Sequence, residues 1–118
     1  MPFSEILRKV VNGMEGALGA VIVGTDGIPV DEYTVSGEVD IQSMTVEYSS
    51  LLKEIEKGSQ AADLGVTREV TVLTDRAVIM LRRLNDDYFF ALVTRPEGNL
   101  GKGRFLLRMS APGLLKEL

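Results

Sequence analysis

The sequence predicts an α/β protein of the α+β type, built on an antiparallel sheet. Three strand-like runs follow one another within residues 66–93, and the turns between them, residues 75–76 and 85–87, are too short for anything but hairpins. An earlier pair of strand-like runs lies between two segments with helical periodicity, and a further helical segment ends the chain. The predicted order is therefore helix, two strands, long helix, three strands, helix, in one domain spanning residues 1–118.

The first helix is indicated by apolar residues at helical spacing, with Ser4 placed to cap its start. Its inward residues are Ile6, Leu7, Val10, Val11 and Met14. Residues 17–24 are continuously apolar, which predicts a strand at the centre of the sheet. Gly27 favours a hairpin turn, and the return strand, residues 28–35, contains Pro29. Because proline cannot donate to a strand ladder, we expect this return strand at an edge.

Asp40 is placed to cap a long helix that we predict to run to about Leu64, with Gly65 as its left-handed cap. The predicted inward stripe consists of Ile41, Met44, Tyr48, Leu51, Leu52, Ile55 and Ala62. Small or polar residues interrupt this stripe at Thr45, Ser49, Gly58 and Ser59. Because glycine costs a helix about 1 kcal/mol relative to alanine, Gly58 predicts the close approach of another helix.

The three later strands differ in pattern, and the difference ranks them within the sheet. Residues 77–81 and 88–93 are almost unbroken apolar runs, typical of strands covered on both faces, whereas the strand predicted over residues 66–74 mixes apolar and polar side chains. This predicted edge strand contains no proline or lysine to block it, so it favours pairing with a partner strand. A final helix begins after Asn99, and Pro112 predicts a break or kink in it.

The composition limits the chemistry that the chain can perform. It has no cysteine and no histidine, which excludes thiolate nucleophiles, cysteine-based metal sites and the commonest general base. The formal net charge of −4 argues against nucleic acid as a partner. The N-terminal residues lack the pattern of a signal peptide, and no apolar run is long enough to span a bilayer, so we expect no membrane insertion and a cytoplasmic location.

Residues 98–104, Gly-Asn-Leu-Gly-Lys-Gly-Arg, follow a strand and open a helix, where backbone amides can hold a phosphate. They lack the Ser or Thr that follows Lys in a P-loop, and no parallel βαβ unit is predicted around them. We therefore interpret this segment as a capped helix whose glycines allow close packing on the sheet.

Three pairs of charged residues are the other candidates for chemistry. The acidic pairs at residues 31–32 and 86–87 could bind a cation, but adjacent strand residues point to opposite faces and Asp-rich turns are commonly solvated. The arginine pair at residues 82–83 could complete a partner's active site, although charges reaching solvent at a strand end are the simpler interpretation. We predict no catalytic, cofactor-binding or metal-binding residue, and hence a binding protein that is not itself an enzyme.

Three segments carry a resemblance to a known family: GALGAVIVGTDGIPV near the N-terminus, TVLTDRAVIMLRRLNDDYFFALVT in the centre and PEGNLGKGRFLLR across the start of the last helix. Together with the order of elements, they resemble the Roadblock family, which includes dynein light chains and MglB-type regulators of Ras-like GTPases. The resemblance covers nearly the whole chain and consists of packing and turn patterns.

This resemblance implies a profilin-like sandwich: a five-stranded antiparallel sheet with the long helix on one face and the terminal helices on the other. It implies a homodimer that pairs the strand at residues 66–74 across a two-fold axis, with the long helices side by side. The implied interface residues are Arg68, Val70, Thr71, Val72 and Leu73. It further implies a Ras-like small GTPase that docks near the paired helices and hydrolyses GTP faster without receiving an arginine. The candidate contacts are Glu47, Lys53, Glu54 and Lys57.

Three functions remain open at this stage. The first is a homodimeric platform that binds a Ras-like GTPase and modulates its hydrolysis of GTP. The second is a structural adaptor like the dynein light chains, which would bind its partner regardless of nucleotide. The third, a small-molecule sensor, needs a polar-lined cavity, and the dense Leu, Ile and Val interior argues against it.

Overall fold

A five-stranded antiparallel sheet forms the centre of the molecule in the computed structural model, which describes residues 3–35, 37 and 39–118. The elements in chain order are α1 (Phe3–Asn12), β1 (Ala17–Gly24), β2 (Pro29–Thr34), α2 (Ile41–Ala61), β3 (Glu69–Leu73), β4 (Val78–Arg83), β5 (Tyr88–Thr94) and α3 (Leu100–Lys116). The strands lie side by side in the order β2-β1-β5-β4-β3, and every neighbouring pair is antiparallel. The predicted element order is confirmed, and both predicted edge strands lie at the edges.

Helices cover both faces of this sheet, as the resemblance implied. One face packs against α1 and α3, and its core contains Leu7, Phe90, Leu92, Leu107 and Leu114. The opposite face packs against α2, and its core contains Val21, Ile41, Ile79, Phe89 and Val93. All eight residues of β1 are buried, because this strand is covered on both faces. The sandwich architecture is therefore confirmed.

The end of α2 differs from the prediction. The helix ends at Ala61, and Leu64, predicted as its last residue, lies in the following loop with 77% of its surface exposed. Asp63 already adopts a left-handed conformation, with φ of 59°, two residues before the predicted cap Gly65. Aspartate tolerates this conformation better than most residues, so the helix stops earlier than the glycine alone suggests.

The prediction of which α2 residues face inward was also wrong in part. Thr45 and Ser49, predicted as interruptions, are buried, because their hydroxyls donate to the carbonyls of Ile41 and Thr45 at 2.6 Å and are thereby satisfied within the helix. Leu51 and Ala62, predicted to face inward, are instead exposed. The buried side of α2 is therefore rotated towards small polar residues.

Two details of the terminal helices differ from the prediction: the break at Pro112 and the cap at Ser4 are both absent from the described residues. Pro112 does not break α3, which continues through it to Lys116. Pro112 is exposed, and its missing N–H costs the helix one backbone hydrogen bond, the one to the carbonyl of Arg108. Ser4 does not cap α1, because the helix already includes Phe3, and the two residues before it lie outside the described residues. Across residues 3–35, 37 and 39–118, no helix has the length and apolarity needed to cross a bilayer.

Candidate functional site

The outer edge of β3 is the first part of the candidate site. The Arg68 carbonyl accepts a hydrogen bond from the Arg83 N–H at 2.9 Å, and the Thr74 N–H donates to the Ala77 carbonyl at 2.9 Å. The even-numbered residues of this segment therefore bond to β4. Because an antiparallel ladder alternates, Glu69, Thr71 and Leu73 turn their N–H and C=O groups away from β4. This edge therefore offers three residues with unpaired backbone groups.

The opposite edge, on β2, is blocked in three ways. Pro29 has no N–H, a bulge interrupts the pairing between Ile22 and Val23 of β1, and the Glu32 N–H is bonded to the Asp31 carboxylate at 2.8 Å. None of these devices occurs on β3 within the described residues. The sheet thus has one protected edge and one open edge.

The predicted interface residues of β3 divide between the two faces of the sheet. Val70 and Val72 are partly buried against the core beneath α2. Thr71 is exposed, and Leu73 keeps 69% of its surface accessible, which is high for a leucine in a strand. Arg68 lies just before β3 and is exposed. The structure thus places all five residues along one margin of the molecule.

Glu69 ties this margin to α3. Its carboxylate accepts hydrogen bonds from Arg82 on the neighbouring strand and from Arg104 of α3, the latter at 2.9 Å. Burial of the group raises its pKa, but the bonds from Arg104 and Arg82 outweigh this and hold the pKa below its ordinary value. The sequence did not single out Glu69, because its two partners come from different elements.

The arginine pair at residues 82–83 was predicted to reach solvent at a strand end. In the structure both side chains form ion pairs. Arg82 pairs with Glu69, and Arg83 pairs with Asp86 in the hairpin that follows. Both side chains are only partly exposed. A role for either arginine in a partner's active site would therefore require an existing ion pair to open.

A groove of about 660 Å³ beside α2 is the second part of the candidate site. Its apolar residues are Leu52, Val66, Val70, Leu81 and Phe89, and its charged rim includes Lys53, Glu54, Glu56, Lys57 and Arg68. Three of the four predicted GTPase contacts, Lys53, Glu54 and Lys57, thus line one groove. Glu47 is exposed on α2 outside it. Lys57 and Glu54 form an exposed ion pair at 3.3 Å, whereas Lys53 has no ion-pair partner among the described residues.

Glu56 also lines this groove, and the sequence did not single it out. Its carboxylate accepts the Thr67 N–H at 2.9 Å, and the Ser59 and Thr67 hydroxyls lie 2.9 Å apart. The bonds from Thr67 and then from Gln60 lower the pKa of Glu56. These contacts fix the start of β3 against α2, so the groove and the open edge are positioned together.

Gly58 lies on an open side of α2. A Cβ added to it would meet nothing within 4 Å, so the close helix predicted there is not another part of this chain. Leu51, seven residues earlier, lies on the same side of the helix and is 42% exposed. Neither residue lines the groove. This side of α2 is therefore separate from the groove and uncovered in the single chain.

The glycine-rich segment at residues 98–104 opens α3 as predicted. The Asn99 side chain accepts the Lys102 N–H at 3.0 Å, which caps the helix. A Cβ on Gly103 would lie 2.5 Å from the Met80 methyl group, so this glycine does allow close packing on the sheet. Among residues 3–35, 37 and 39–118, no group of three or more acidic side chains is arranged to hold a metal ion.

Solved structures with the same fold are numerous. MglC from Myxococcus xanthus is 38% identical over the whole of both chains, with a TM-score of 0.72. A Roadblock/LC7 domain from Streptomyces avermitilis is 15% identical with a TM-score of 0.86, covering 97% of this chain and 95% of that one. Myxococcus xanthus MglB is 9% identical with a TM-score of 0.86, covering 96% of this chain and 84% of that one. No protein-family model and no curated protein matches the chain.

A helix-covered, five-stranded antiparallel sheet with one open edge defines the class as Roadblock-fold proteins. The 38% identity to MglC over both full lengths goes further than fold, and the chain belongs to the Roadblock family as a relative of MglC. The similarities to MglB and to the Streptomyces domain, both below 25% identity, show the shared fold alone.

Proposed function

We propose that the chain is a homodimeric regulatory protein that pairs through β3 and binds a Ras-like small GTPase near α2. The observation that carries the proposal is the contrast between the two edges, since β2 is blocked and β3 presents three residues with unpaired backbone groups. A structure described as MglB with a tetrameric arrangement shows that another protein of this fold self-associates.

Side chains at the β3 margin support pairing with a second copy. Leu73 is an exposed apolar residue on the open edge strand. Leu51 and Gly58 lie on a side of α2 that no other part of the described chain covers, and Gly58 has no side chain to keep a second helix away. A glycine on an open helix surface costs stability but lets another helix approach closely. Pairing of two β3 strands would bring such a helix from the second copy.

The GTPase-binding part of the proposal is supported by the family and by the groove. Lys53, Glu54 and Lys57 project from one stretch of α2 around an apolar floor. A rim of charges around an apolar centre is the common anatomy of a protein interface. The partner's own catalytic groups would perform the hydrolysis, and this protein would act by shifting their conformation.

The test is to titrate the protein with candidate Ras-like GTPases carrying either GDP or a non-hydrolysable GTP analogue. We expect tighter binding to one nucleotide state, and weakening by about tenfold when Lys53→Glu and Lys57→Glu are combined, because charge reversal at an interface of this kind costs about 1.4 kcal/mol or more. Lys102→Glu, an exposed change at the start of α3, is the matched control.

Nucleotide-independent binding would support the adaptor function and contradict the regulatory one. Absence of binding to any GTPase in both nucleotide states would overturn the proposed partner. The proposed dimer is tested separately, by measuring the molecular mass of the protein in solution.

A further inference from the structure

We propose that the outer face of α3, together with the groove between α3 and α1, binds an acidic segment of a partner protein that carries an apolar anchor residue. This α3 face consists of Lys102, Phe105, Arg108, Met109 and Lys116. It lies across the sheet from α2, so this second site goes beyond the proposed function and does not depend on it.

Two large apolar side chains of α3 remain in solvent. Phe105 and Met109 keep 54% and 63% of their surface exposed, and they lie one helical turn apart on the same side of the helix. A different side of α3 packs on the sheet, with Leu107, Ala111 and Leu114 buried. The exposed pair therefore adds nothing to the core, and apolar surface rimmed by charged residues is typical of an interaction site.

A groove of about 270 Å³ between α1 and α3 continues from Met109. This volume is below the roughly 300–1,000 Å³ of small-molecule sites, which disfavours a free metabolite as the occupant. It suits a single apolar side chain carried by a larger partner. Besides Met109, the groove is lined by Ile6, Lys9, Val10, Leu106, Ser110 and Gly113.

Gly113 helps to keep this groove open. A Cβ added to it would lie 3.5 Å from the Ile6 Cδ1 atom, which is an ordinary contact, so the packing of α1 against α3 does not require glycine. Glycine within a helix costs about 1 kcal/mol relative to alanine. The missing side chain therefore lowers helix stability and leaves room at the wall of the groove.

The charges of the α3 face indicate the chemistry of its partner. The sequence of α3 contains four basic residues and no acidic one, in a chain whose net charge is −4. Arg104 is paired with Glu69, whereas the other three basic side chains, Lys102, Arg108 and Lys116, are exposed and have no ion pair within residues 3–35, 37 and 39–118. α1 adds two basic residues and one acidic residue, and Glu117 follows α3. Carboxylates on a partner complement this surface.

An anionic membrane fits the same residues less well. Recognition of anionic lipid headgroups commonly uses clusters of about four to eight Lys and Arg residues, whereas the α3 face has three. The groove is also concave, so a protruding side chain reaches its lining better than a flat lipid surface does. We therefore assign the site to an acidic polypeptide segment.

The first experiment uses a display library of short random peptides as the probe. Peptides are selected on the full-length protein, and those that also bind Met109→Glu protein are removed. Met109 is 63% exposed, so this change adds an acidic group to the α3 face without disturbing the core. We expect the retained peptides to contain at least about twice the library's share of Asp and Glu, together with a recurring large apolar residue.

The second experiment titrates one retained peptide, with a fluorescent label, against folded variants. Arg108→Glu should weaken binding by at least about tenfold, because an attractive charge pair becomes repulsive. Arg76→Glu makes the same charge change at an exposed position in the turn before β4, outside the α3 face and the groove, and should weaken it by less than about twofold. Circular dichroism establishes that each variant is folded.

Failure to retain acidic peptides, or equal weakening by Arg108→Glu and Arg76→Glu, would overturn the proposal. Two other occupants are tested directly. Sedimentation with phosphatidylserine vesicles that Met109→Glu abolishes would assign the face to an anionic membrane. A mass in solution above that of two chains that Met109→Glu lowers would assign it to a further copy of this chain. Either result would overturn the acidic partner.

Discussion

Glu69 is the residue at which the open edge, the neighbouring strand and α3 meet. Its carboxylate accepts hydrogen bonds from Arg82 and Arg104, and its side chain is only 19% exposed. Its depressed pKa means that the folded state prefers the charged carboxylate more than the unfolded state does. Stability from this group is therefore present above the unfolded pKa and is lost as pH falls through the folded one.

Glu69→Gln should lower the free energy of unfolding at neutral pH by about 1 kcal/mol, after allowance for the solvent that reaches Arg104. The loss should shrink as the pH falls below the ordinary glutamate value of 4.5, because the wild-type carboxylate then becomes protonated too. Urea titrations of both proteins between pH 3 and pH 7 measure this difference in the free energy of unfolding.

Glu97→Gln, at an exposed position in the turn before α3, is the control for that comparison. An equal effect of both variants at every pH would contradict the role assigned to Glu69.

At the scale of elements, α2 holds the groove and begins with a strong cap. The Asp40 carboxylate accepts the Ser43 N–H at 3.1 Å and the Ser43 hydroxyl at 2.8 Å. The backbone bond from Ser43 and then its hydroxyl lower the pKa of Asp40. The cap satisfies a helix donor that would otherwise depend on water.

Asp40→Ala should lower the Tm by roughly 3–6 °C, as expected for loss of an N-cap in a domain of this size. Scanning calorimetry near neutral pH measures the change. Glu47→Ala, an exposed position within the same helix, should shift the Tm by less than about 2 °C, because surface changes without a partner cost little. A larger effect for Glu47 than for Asp40 would contradict this account of the helix start.

The sequence predicted those elements whose signals are local. Asp40 and Asn99 were recognised as caps because a short polar side chain just before an apolar helical repeat commonly accepts a backbone N–H of the first turn. The end of α2 was missed because Asp63 adopts the left-handed conformation two residues before Gly65, which adopts it as well. Thr45 and Ser49 were misplaced because their hydroxyls are satisfied inside the helix, which a polarity pattern does not show.

For the candidate site, strand composition predicted the open edge, since edge protection is a property of single residues such as Pro29. The groove and the Glu69 cluster were not predictable. They join residues far apart in the chain, such as Glu69 and Arg104, and only the completed fold brings these together.

At the scale of the whole molecule, Thr71→Pro separates folding from assembly. The Thr71 N–H faces away from β4, so proline removes no bond within the chain, but it removes a central bond of the proposed pair. We expect the mass in solution to fall from twice 12.9 kDa to 12.9 kDa, with the circular dichroism spectrum retained. Light scattering at micromolar concentration measures it.

Thr34→Pro is the matched change on the other edge strand, β2, and should leave the mass unchanged. If Thr71→Pro remained a dimer while folded, β3 would not be the contact between subunits.

The unequal edges also set where assembly stops. In the proposed dimer, joining two β3 strands would use up the open edge of each sheet. Both outer edges would then be β2, where Pro29 has no N–H and the Glu32 N–H is bonded to the Asp31 carboxylate. Because β2 offers few free backbone groups, we expect growth by strand addition to stop at this pair and not to continue into filaments. In the proposed dimer, the blocked β2 edge of each subunit would therefore limit aggregation through the sheet even at high protein concentration.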